Sequence, residues 1–165
     1  MREIAVVSGK GGTGKTTIAA ALAHLLHSRG LKIAVCDADV DTPALELLLG
    51  FDPAGEREFV GSRKARVDPS RCDGCGRCAD LCPHGAITVG GLARVEAYIC
   101  EGCGVCAIAC PQGAISLHPA RTGVVRRGRT RYGFPMVAAQ LEVGEHNSGL
   151  LVDEVRKEGR GEASR

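Results

Sequence analysis

The sequence contains no tryptophan, and aromatic residues make up only 3% of its 165 residues. Large aromatic side chains therefore cannot dominate the core, although a hydrophobic content of 44% still supports a packed interior. No apolar run approaches the roughly 18 residues that a membrane-spanning helix needs. The formal net charge is only +2, so the chain lacks the strong field expected of a protein that binds nucleic acid or a membrane surface.

The N-terminus also lacks the pattern of a secretion signal. Nine cysteines in a chain without such a signal predict a reducing, cytoplasmic environment. A disulfide framework is therefore a disfavoured interpretation of these cysteines. The length of the chain permits one or two domains.

Eight of the nine cysteines form two matched runs of the type C-x2-C-x2-C-x3-C-P. The runs belong to an internal repeat in which residues 72–89 align without gaps to residues 100–117. In two-cluster ferredoxins, this spacing holds cubane [4Fe–4S] clusters, and the fourth cysteine of each run serves the other cluster. A pair of zinc sites is the alternative, but zinc sites usually lack the third cysteine and the trailing proline.

The predicted ligation is crossed between the two runs. One cluster would be bound by Cys72, Cys75, Cys78 and Cys110, and the other by Cys82, Cys100, Cys103 and Cys106. Glycines at 74, 76, 102 and 104 would let the backbone wrap closely around the sulfur atoms. The stretch from about Arg66 to Pro119 resembles the two-cluster bacterial ferredoxins, which implies an α+β module.

A second motif lies near the start of the chain. Residues 9–17 read GKGGTGKTT and match the P-loop pattern G-x4-G-K-[ST]. The apolar stretch Glu3–Val7 before it predicts a buried parallel strand, and an apolar stripe after it predicts a helix that ends near Gly30. The whole loop is a candidate nucleotide site, with contacts from Gly9, Lys10, Gly11, Gly12, Thr13, Gly14, Lys15, Thr16 and Thr17.

The chemistry of this loop follows from its backbone and its last three residues. Consecutive N–H groups and the positive end of the new helix favour bound phosphate. Lys15 would neutralise the β and γ oxygens, Thr16 would offer its hydroxyl to Mg²⁺, and Thr17 would contact the α-phosphate of ATP. A glycine-rich turn without a ligand is the alternative, which the Lys-Thr-Thr ending disfavours.

The additional lysine of the loop, Lys10, carries a resemblance to the deviant P-loop of the MinD-type (SIMIBI) ATPases, which include the nitrogenase iron protein and the ParA partition proteins. The resemblance implies that Lys10 reaches across a dimer interface to the phosphates of the partner, although an exposed lysine is the alternative. It also implies that Asp39 orients the attacking water or holds Mg²⁺, with Asp37 secondary. The candidate catalytic residues are thus Lys10, Lys15 and Asp39.

The remaining segments are predicted from apolar patterns and turn residues. Cys36, the ninth cysteine, is interpreted as a small buried hydrophobe, and Asp41 as a solvated loop carboxylate. The arginine-rich stretch 121–131 is interpreted as a solvated hairpin, with a docking patch for an acidic redox partner or nucleotide phosphates as the alternative. The other predictions are a strand at Leu31–Cys36, a helix at 44–49 ended by Gly50, a linker at 51–66, a strand at 134–143, a helix to about Lys157 and a frayed tail at 159–165.

The order of these motifs resembles the MinD-superfamily ATPases with an inserted ferredoxin domain. The expected fold is α/β, a parallel-sheet P-loop half-domain of about three strands with the ferredoxin module inserted. The predicted organisation is 1–60 (P-loop segment), 66–119 (ferredoxin), 120–158 (return to the α/β domain) and 159–165 (tail). Family members continue with a D-x-P-P-G switch II segment, which does not occur here, so the chain is expected to correspond to the N-terminal half.

The resemblance implies a function in which ATP binding and hydrolysis are coupled to electron transfer or to maturation of a metalloprotein. The implied cofactors are two [4Fe–4S] clusters, ATP and Mg²⁺. The implied partners are a second copy or the missing C-terminal half, and a redox protein, with neither nucleic acid nor a membrane. The alternatives are a non-hydrolysing two-cluster electron carrier, in which the P-loop is a scaffold, and an iron–sulfur assembly scaffold.

Overall fold

The computed structural model describes residues 2–164, which divide into two compact units. Unit 1 comprises residues 2–59, 123–141 and 148–164, and unit 2 comprises residues 60–122 and 142–147. The elements in chain order are α1 (Lys15–Ser28), β1 (Val35–Asp37), α2 (Leu45–Leu49), β2 (Phe51–Phe59), β3 (Ser62–Val67), α3 (Arg77–Asp80), β4 (Ile87–Gly90), β5 (Leu92–Val95), α4 (Val105–Ala109), β6 (Ile115–Ala120), β7 (Gly123–Thr130), β8 (Pro135–Leu141) and α5 (Ser148–Ala163).

Unit 1 contains a four-stranded mixed sheet in the order β1-β8-β7-β2. Only β1 and β8 are parallel, while β7 is antiparallel to both of its neighbours. The chain leaves unit 1 after β2 and returns at β7, so the two ends of the intervening segment meet where Phe59 pairs with Gly123. The prediction of a parallel sheet was therefore wrong. The strands on either side of the insertion, β2 and β7, run in opposite directions because the chain leaves along one and returns along the other.

Strand β8 forms the centre of the unit 1 core. Its side chains alternate between the two faces of the sheet, as the period of a strand requires. Met136 and Ala138 pack in a cluster with residues of α1 and α2, whereas Val137 and Ala139 pack with Leu151 and other residues of α5. The continuous apolar sequence of this strand thus reflects burial on both faces.

Several helix predictions agree with the structure. Helix α1 begins directly after Gly14, and Gly30 follows its end with a positive φ of 77°. Helix α2 ends at Gly50, which has a φ of 61° and was predicted to stop it. Helix α5 is longer than predicted and extends to Ala163, so the predicted frayed tail is wrong over most of its length.

The predicted first strand does not form. Residues 2–7 have no regular secondary structure, and Ile4 and Val7 are 64% and 84% exposed. Strand β1 pairs with β8 on one edge, and within residues 2–164 no strand pairs with its other edge. Without a partner an apolar strand gains neither hydrogen bonds nor burial. The predicted strand at Leu31–Cys36 is likewise reduced to β1.

A predicted linker consists mostly of strands, and a predicted solvated hairpin contributes an interior strand. The predicted linker at 51–66 contains β2 and most of β3, and the predicted solvated hairpin at 121–131 contains β7, an interior strand of the sheet. Arginines of β7 are engaged within the fold, since Arg126 bonds Glu46 at 2.7 Å and Arg127 lies 3.2 Å from Glu158. Their charges are satisfied by carboxylates on α2 and α5, which the local sequence does not reveal.

Unit 2 is built from the internal repeat. One copy is β3-α3-β4 and the other is β5-α4-β6. The strands pair between copies, β3 with β6 and β4 with β5, and both pairs are antiparallel. None of the helices described over residues 2–164 is long and apolar enough to cross a bilayer.

Candidate functional site

Two cavities in unit 2 are each walled by four cysteines. One is lined by Cys72, Cys75, Cys78 and Cys110, and the other by Cys82, Cys100, Cys103 and Cys106. Both cavities open to solvent. These are the two crossed sets predicted from the spacing, with three cysteines of one run and the fourth of the other.

The strand pairing explains why the fourth cysteine crosses over. Each cysteine run connects the two strands of its own repeat, and each of those strands pairs with a strand of the other copy. The end of one run is thereby brought against the loop of the other. The backbone pairs Asp68 N–H to Ala114 O (2.7 Å) and Glu96 N–H to Ala86 O (2.8 Å) fix this arrangement at equivalent points.

Backbone amides point at four of the eight sulfur atoms. The N–H of Ala86 donates to Cys82 Sγ and that of Ala114 donates to Cys110 Sγ, both at 3.3 Å. The N–H groups of Ala65 and Ala93 donate to Cys100 Sγ and Cys72 Sγ, both at 3.5 Å. Such bonds stabilise thiolates and orient them toward a metal group.

Two glycines make the loops possible through close backbone contact. A Cβ atom on Gly74 would lie 2.0 Å from the carbonyl oxygen of Gly91, and one on Gly102 would lie 1.9 Å from that of Arg63. Both glycines also have positive φ angles, of 73° and 65°. No other residue fits at either position without moving the backbone of the other repeat copy.

Burial differs among the cysteines of each set. Cys78, Cys100 and Cys106 are buried, whereas Cys75 and Cys103 are exposed at the mouths of the cavities. Desolvation, reinforced by neighbouring cysteines, raises the pKa of the Cys78 and Cys106 thiols above the ordinary value. Binding a metal group would have to displace these protons.

Within residues 2–164, no three cysteine, histidine or acidic side chains converge closely enough to hold a single metal ion. The two sets of cysteines surround cavities rather than a point. A zinc ion needs four ligands at about 2.3 Å from one centre, whereas a cubane cluster spreads its thiolates over a larger volume. The donor set and the cavity therefore fit a polynuclear iron–sulfur group better than zinc.

The repeat is longer than the cysteine spacing suggested. It extends upstream to include β3 and β5, so that residues 62–89 correspond to residues 90–117. Ala65 and Ala93, which donate to cysteine sulfurs, were missed as site residues. The shared tripeptide Ala-Arg-Val at 65–67 and 93–95 is the signal that could have found them.

In unit 1 the P-loop joins residues that are far apart in sequence. Lys15, the first residue of α1, forms an ion pair through Nζ with the carboxylate of Asp39. Asp39 also accepts a bond from the Thr42 hydroxyl at 3.1 Å. The lysine, and to a smaller extent Thr42, lowers the pKa of the Asp39 carboxyl below its ordinary value. Two candidate catalytic residues are thus in direct contact.

Asp37 supports the loop that carries Asp39 through hydrogen bonds to the backbone. Its buried carboxylate accepts the backbone N–H of Leu45 at 2.9 Å, at the start of α2, and that of Asp39 at 3.2 Å. It therefore fixes the loop that carries Asp39. Asp41 is exposed, as its interpretation as a loop carboxylate requires.

The other P-loop residues lie at the surface of unit 1. Lys10 is exposed, and its carbonyl oxygen accepts bonds from the hydroxyls of Ser8 and Thr13, both at 3.2 Å. Thr16 is half-buried on the first turn of α1 and Thr17 is exposed. A Cβ atom added to Gly9, Gly11, Gly12 or Gly14 would meet no atom within 4 Å.

Comparison with known proteins gives a family match over nearly the whole chain. Residues 4–161 match the CobQ/CobB/MinD/ParA nucleotide binding domain. The chain is 35% identical over 156 residues to the uncharacterized protein MJ0578 of Methanocaldococcus jannaschii, an alignment that covers 93% of this chain and 53% of that protein. The chain thus spans about half the length of this relative and a smaller fraction of the others.

Two shorter similarities involve about a third of the chain. The uncharacterized ATP-binding protein MJ0547 of the same organism is 57% identical over 49 residues, which is 30% of this chain and 19% of that protein. The iron-sulfur cluster carrier protein of Aquifex aeolicus is 52% identical over 57 residues, which is 34% of this chain and 15% of that protein. The extended match and the P-loop together establish that the chain belongs to the CobQ/CobB/MinD/ParA family of nucleotide-binding domains.

Proposed function

We propose that this chain binds two [4Fe–4S] clusters in unit 2 and ATP with Mg²⁺ in unit 1, and that it couples nucleotide binding and hydrolysis to electron transfer or to maturation of a metalloprotein. The observation that carries the proposal is the crossed set of four cysteines around each cavity. When bound, such clusters supply one-electron transfer. The electron would come from an external one-electron donor protein and pass to an acceptor protein.

The protein residues have separate roles in this proposal. The eight cysteines hold the clusters as thiolates, and the N–H groups of Ala65, Ala86, Ala93 and Ala114 stabilise the charge on sulfur. The cavities open to solvent at Cys75 and Cys103, where electrons would enter or leave. The inserted unit is thus a two-cluster ferredoxin module.

The P-loop would bind the triphosphate through its backbone amides and Lys15. Lys15 would then exchange its bond with Asp39 for bonds to phosphate oxygens, which frees the Asp39 carboxylate to act on Mg²⁺ or on the attacking water. Thr16 would supply a hydroxyl to the metal. Lys10, exposed on the loop, is proposed to act on the phosphates of a second copy of the chain.

A non-hydrolysing electron carrier is the second candidate function. One observation favours it, namely that residues 2–7 form no strand and are mostly exposed before the P-loop. Such a loop is flanked by a helix on one side only, so its geometry is less firmly held than in a strand–loop–helix unit. Two relatives named iron-sulfur cluster carrier proteins support a role near iron–sulfur metabolism without distinguishing the two functions.

Anaerobic reconstitution of the full chain tests the cluster assignment. We expect about eight iron atoms per chain and the electron paramagnetic resonance signals of reduced [4Fe–4S] clusters. Colourless protein that is free of iron and rich in zinc would contradict the proposal. ATP turnover is then measured with oxidised and with reduced protein, and the absence of turnover in both would leave the electron carrier as the function.

The substitution Lys15→Ala tests the independence of the two sites. We expect nucleotide affinity to fall at least tenfold, because one charge-assisted bond contributes about 1.5–3 kcal/mol. The iron content should stay unchanged. Lys32→Ala, which removes an exposed lysine outside the loop, is the matched control and should bind nucleotide like the native chain. Loss of iron in Lys15→Ala would show that the sites are not separable.

A further inference from the structure

The two halves of the repeat differ at several positions, and one of these differences is a buried charge. Ala65 and Ala93 are equivalent, and each donates its N–H at 3.5 Å to the first cysteine of the opposite run. The residue before Ala65 is Lys64, whereas the residue before Ala93 is Leu92. The backbone beside Cys100 therefore carries a buried cation where the equivalent point of the other copy has an apolar side chain, and the cation that lines the other cavity, Arg77, is exposed.

Lys64 is buried, and its ammonium group has two partners. Its ammonium donates to the backbone carbonyl of Cys100 at 2.8 Å and to the carboxylate of Glu145 at 2.8 Å. The side chains of Lys64 and Glu145 are only 11% and 10% exposed, so solvent screens their charges weakly. Leu92, in contrast, is 41% exposed and carries no charge.

Glu145 comes from outside the repeat. It lies in residues 142–147, which follow β8, precede α5 and pack within unit 2. Neighbours of Glu145 are anchored there as well, since Asn147 donates to the buried hydroxyl of Thr122 at 3.0 Å. The ion pair therefore joins this segment to the backbone of a cluster-ligand residue, which is an arrangement without a counterpart in the repeat.

We propose that Lys64 and Glu145 are positioning residues that make the two clusters unequal in reduction potential. The inference rests on the proposed binding of clusters. The positive end of the pair lies against Cys100, and a nearby positive charge favours the reduced cluster, which is the more negative form. Glu145 offsets part of this effect, so the two residues together set the potential of the cluster held by Cys82, Cys100, Cys103 and Cys106.

Redox titration of the anaerobically reconstituted full chain, followed by electron paramagnetic resonance, tests the proposal. The native chain should show two reduction steps. Glu145→Gln removes the negative partner and should shift one step to higher potential, whereas Lys64→Met should shift the same step to lower potential. The double variant should return toward the native value. If the substitutions only loosened the Cys100 loop, they would not shift the reduction potential in opposite directions, nor would the two shifts cancel in the double variant.

Leu92 provides the matched control from the other half of the repeat. Leu92→Met should move neither step. Leu92→Lys introduces a cation at the equivalent point and should raise the other step, by less than the Glu145→Gln shift because position 92 is more exposed.

Iron release to a chelator gives a second readout. In Lys64→Met, the iron of one cluster, which is half of the total, should be released faster than in the native chain, because Cys100 loses a bond that orients it. Leu92→Met should release iron at the native rate. Three results in a chain that holds two clusters would overturn this inference alone. They are shifts of the same sign in Lys64→Met and Glu145→Gln, equal shifts of both reduction steps, and no shift at all. Failure of the chain to bind iron would overturn the proposed function and this inference together.

Discussion

Gly74 and Gly102 of the cysteine loops serve a different physical purpose from the glycines of the P-loop. At Gly74 and Gly102, an added Cβ atom would collide with the backbone of the opposite repeat at about 2 Å. At the four P-loop glycines, an added Cβ would meet nothing within 4 Å. The first pair is required by packing that the protein itself supplies, whereas the P-loop leaves its surface free for a ligand.

The cysteine cavities are therefore shaped by contacts within the protein, whereas the P-loop has few such contacts and presents an exposed backbone. The cysteine cavities are held by strand pairing, by four N–H to sulfur bonds and by two close contacts that recur with the repeat. The P-loop has one ion pair, between Lys15 and Asp39, and an exposed backbone. Substitutions in the first should therefore disturb folding, and substitutions in the second should chiefly disturb binding.

The largest expected effect is that of Gly102→Ala. The new methyl group would collide with the carbonyl of Arg63, and the backbone has a positive φ, so we expect a loss of about 3 kcal/mol or more from the free energy of unfolding. Iron content should fall as well. Urea unfolding under anaerobic conditions measures the first and colorimetric iron analysis the second. Gly90→Ala, at a position with open space, is the control and should retain its iron.

A close-contact glycine in unit 1 should show the same dependence on its neighbour. A Cβ atom on Gly159 of α5 would lie 2.1 Å from Cys36 Sγ, so Gly159→Ala should destabilise the native chain by about 1–3 kcal/mol. In a Cys36→Ala background the same change should instead stabilise by up to about 1 kcal/mol, because alanine favours the helix. Urea unfolding of the four chains measures both values, and equal effects in the two backgrounds would show that the contact is not the cause.

Gly14→Ala should have the opposite profile to Gly102→Ala. Its φ of 84° costs an alanine about 1–2 kcal/mol, but no atom obstructs the methyl group. Nucleotide affinity should fall at least tenfold, since the methyl group enters the space that the phosphates would take. Titration with a fluorescent ATP analogue measures this. Gly11→Ala, without a positive φ, is the control for stability and should unfold like the native chain.

The smallest effect concerns Cys36, the cysteine outside both ligand sets. Burial raises the pKa of this thiol to about 11 from an ordinary value of 9.0. The stability that it contributes is therefore complete below pH 9 and is lost as the pH rises from 9 toward 11. Alkylation by iodoacetamide, followed by mass spectrometry, should stay slow at pH 9. Cys36 is half-buried rather than fully buried as interpreted from the sequence, and rapid reaction at that pH would show that its thiol is not shielded from solvent.

Local patterns in the sequence predicted much of the candidate site. The crossed cysteine sets were predicted from the resemblance of the two runs to two-cluster ferredoxins, and the structure places those sets around two cavities. The P-loop motif and the start of α1 could also be predicted from the sequence, since Gly14 and Lys15 occupy fixed positions in a short motif. Cluster and nucleotide binding themselves remain predictions.

Which strands pair with one another could not be predicted from the sequence. Residues 51–59 are charged and contain Pro53 and Gly55, which indicate a linker, yet they form β2 because β7 returns beside them. Residues 3–7 have the composition of a strand but form none, because no partner lies on the free edge of β1 within residues 2–164. In both cases the outcome depends on a distant segment that satisfies, or fails to satisfy, the backbone hydrogen bonds.

The sequence by itself therefore determined the chemical groups of the chain: which cysteines form two matched candidate ligand sets, which loop matches a nucleotide-binding motif, and which glycines end helices. Only the tertiary structure decided that Lys15 contacts Asp39, that Asp37 holds the start of α2, and that Lys64 and Glu145 flank one cysteine loop and not the other. The physical reason is that motifs depend on neighbours within one turn or loop, whereas ion pairs and strand partners depend on residues that the fold brings together from remote parts of the chain.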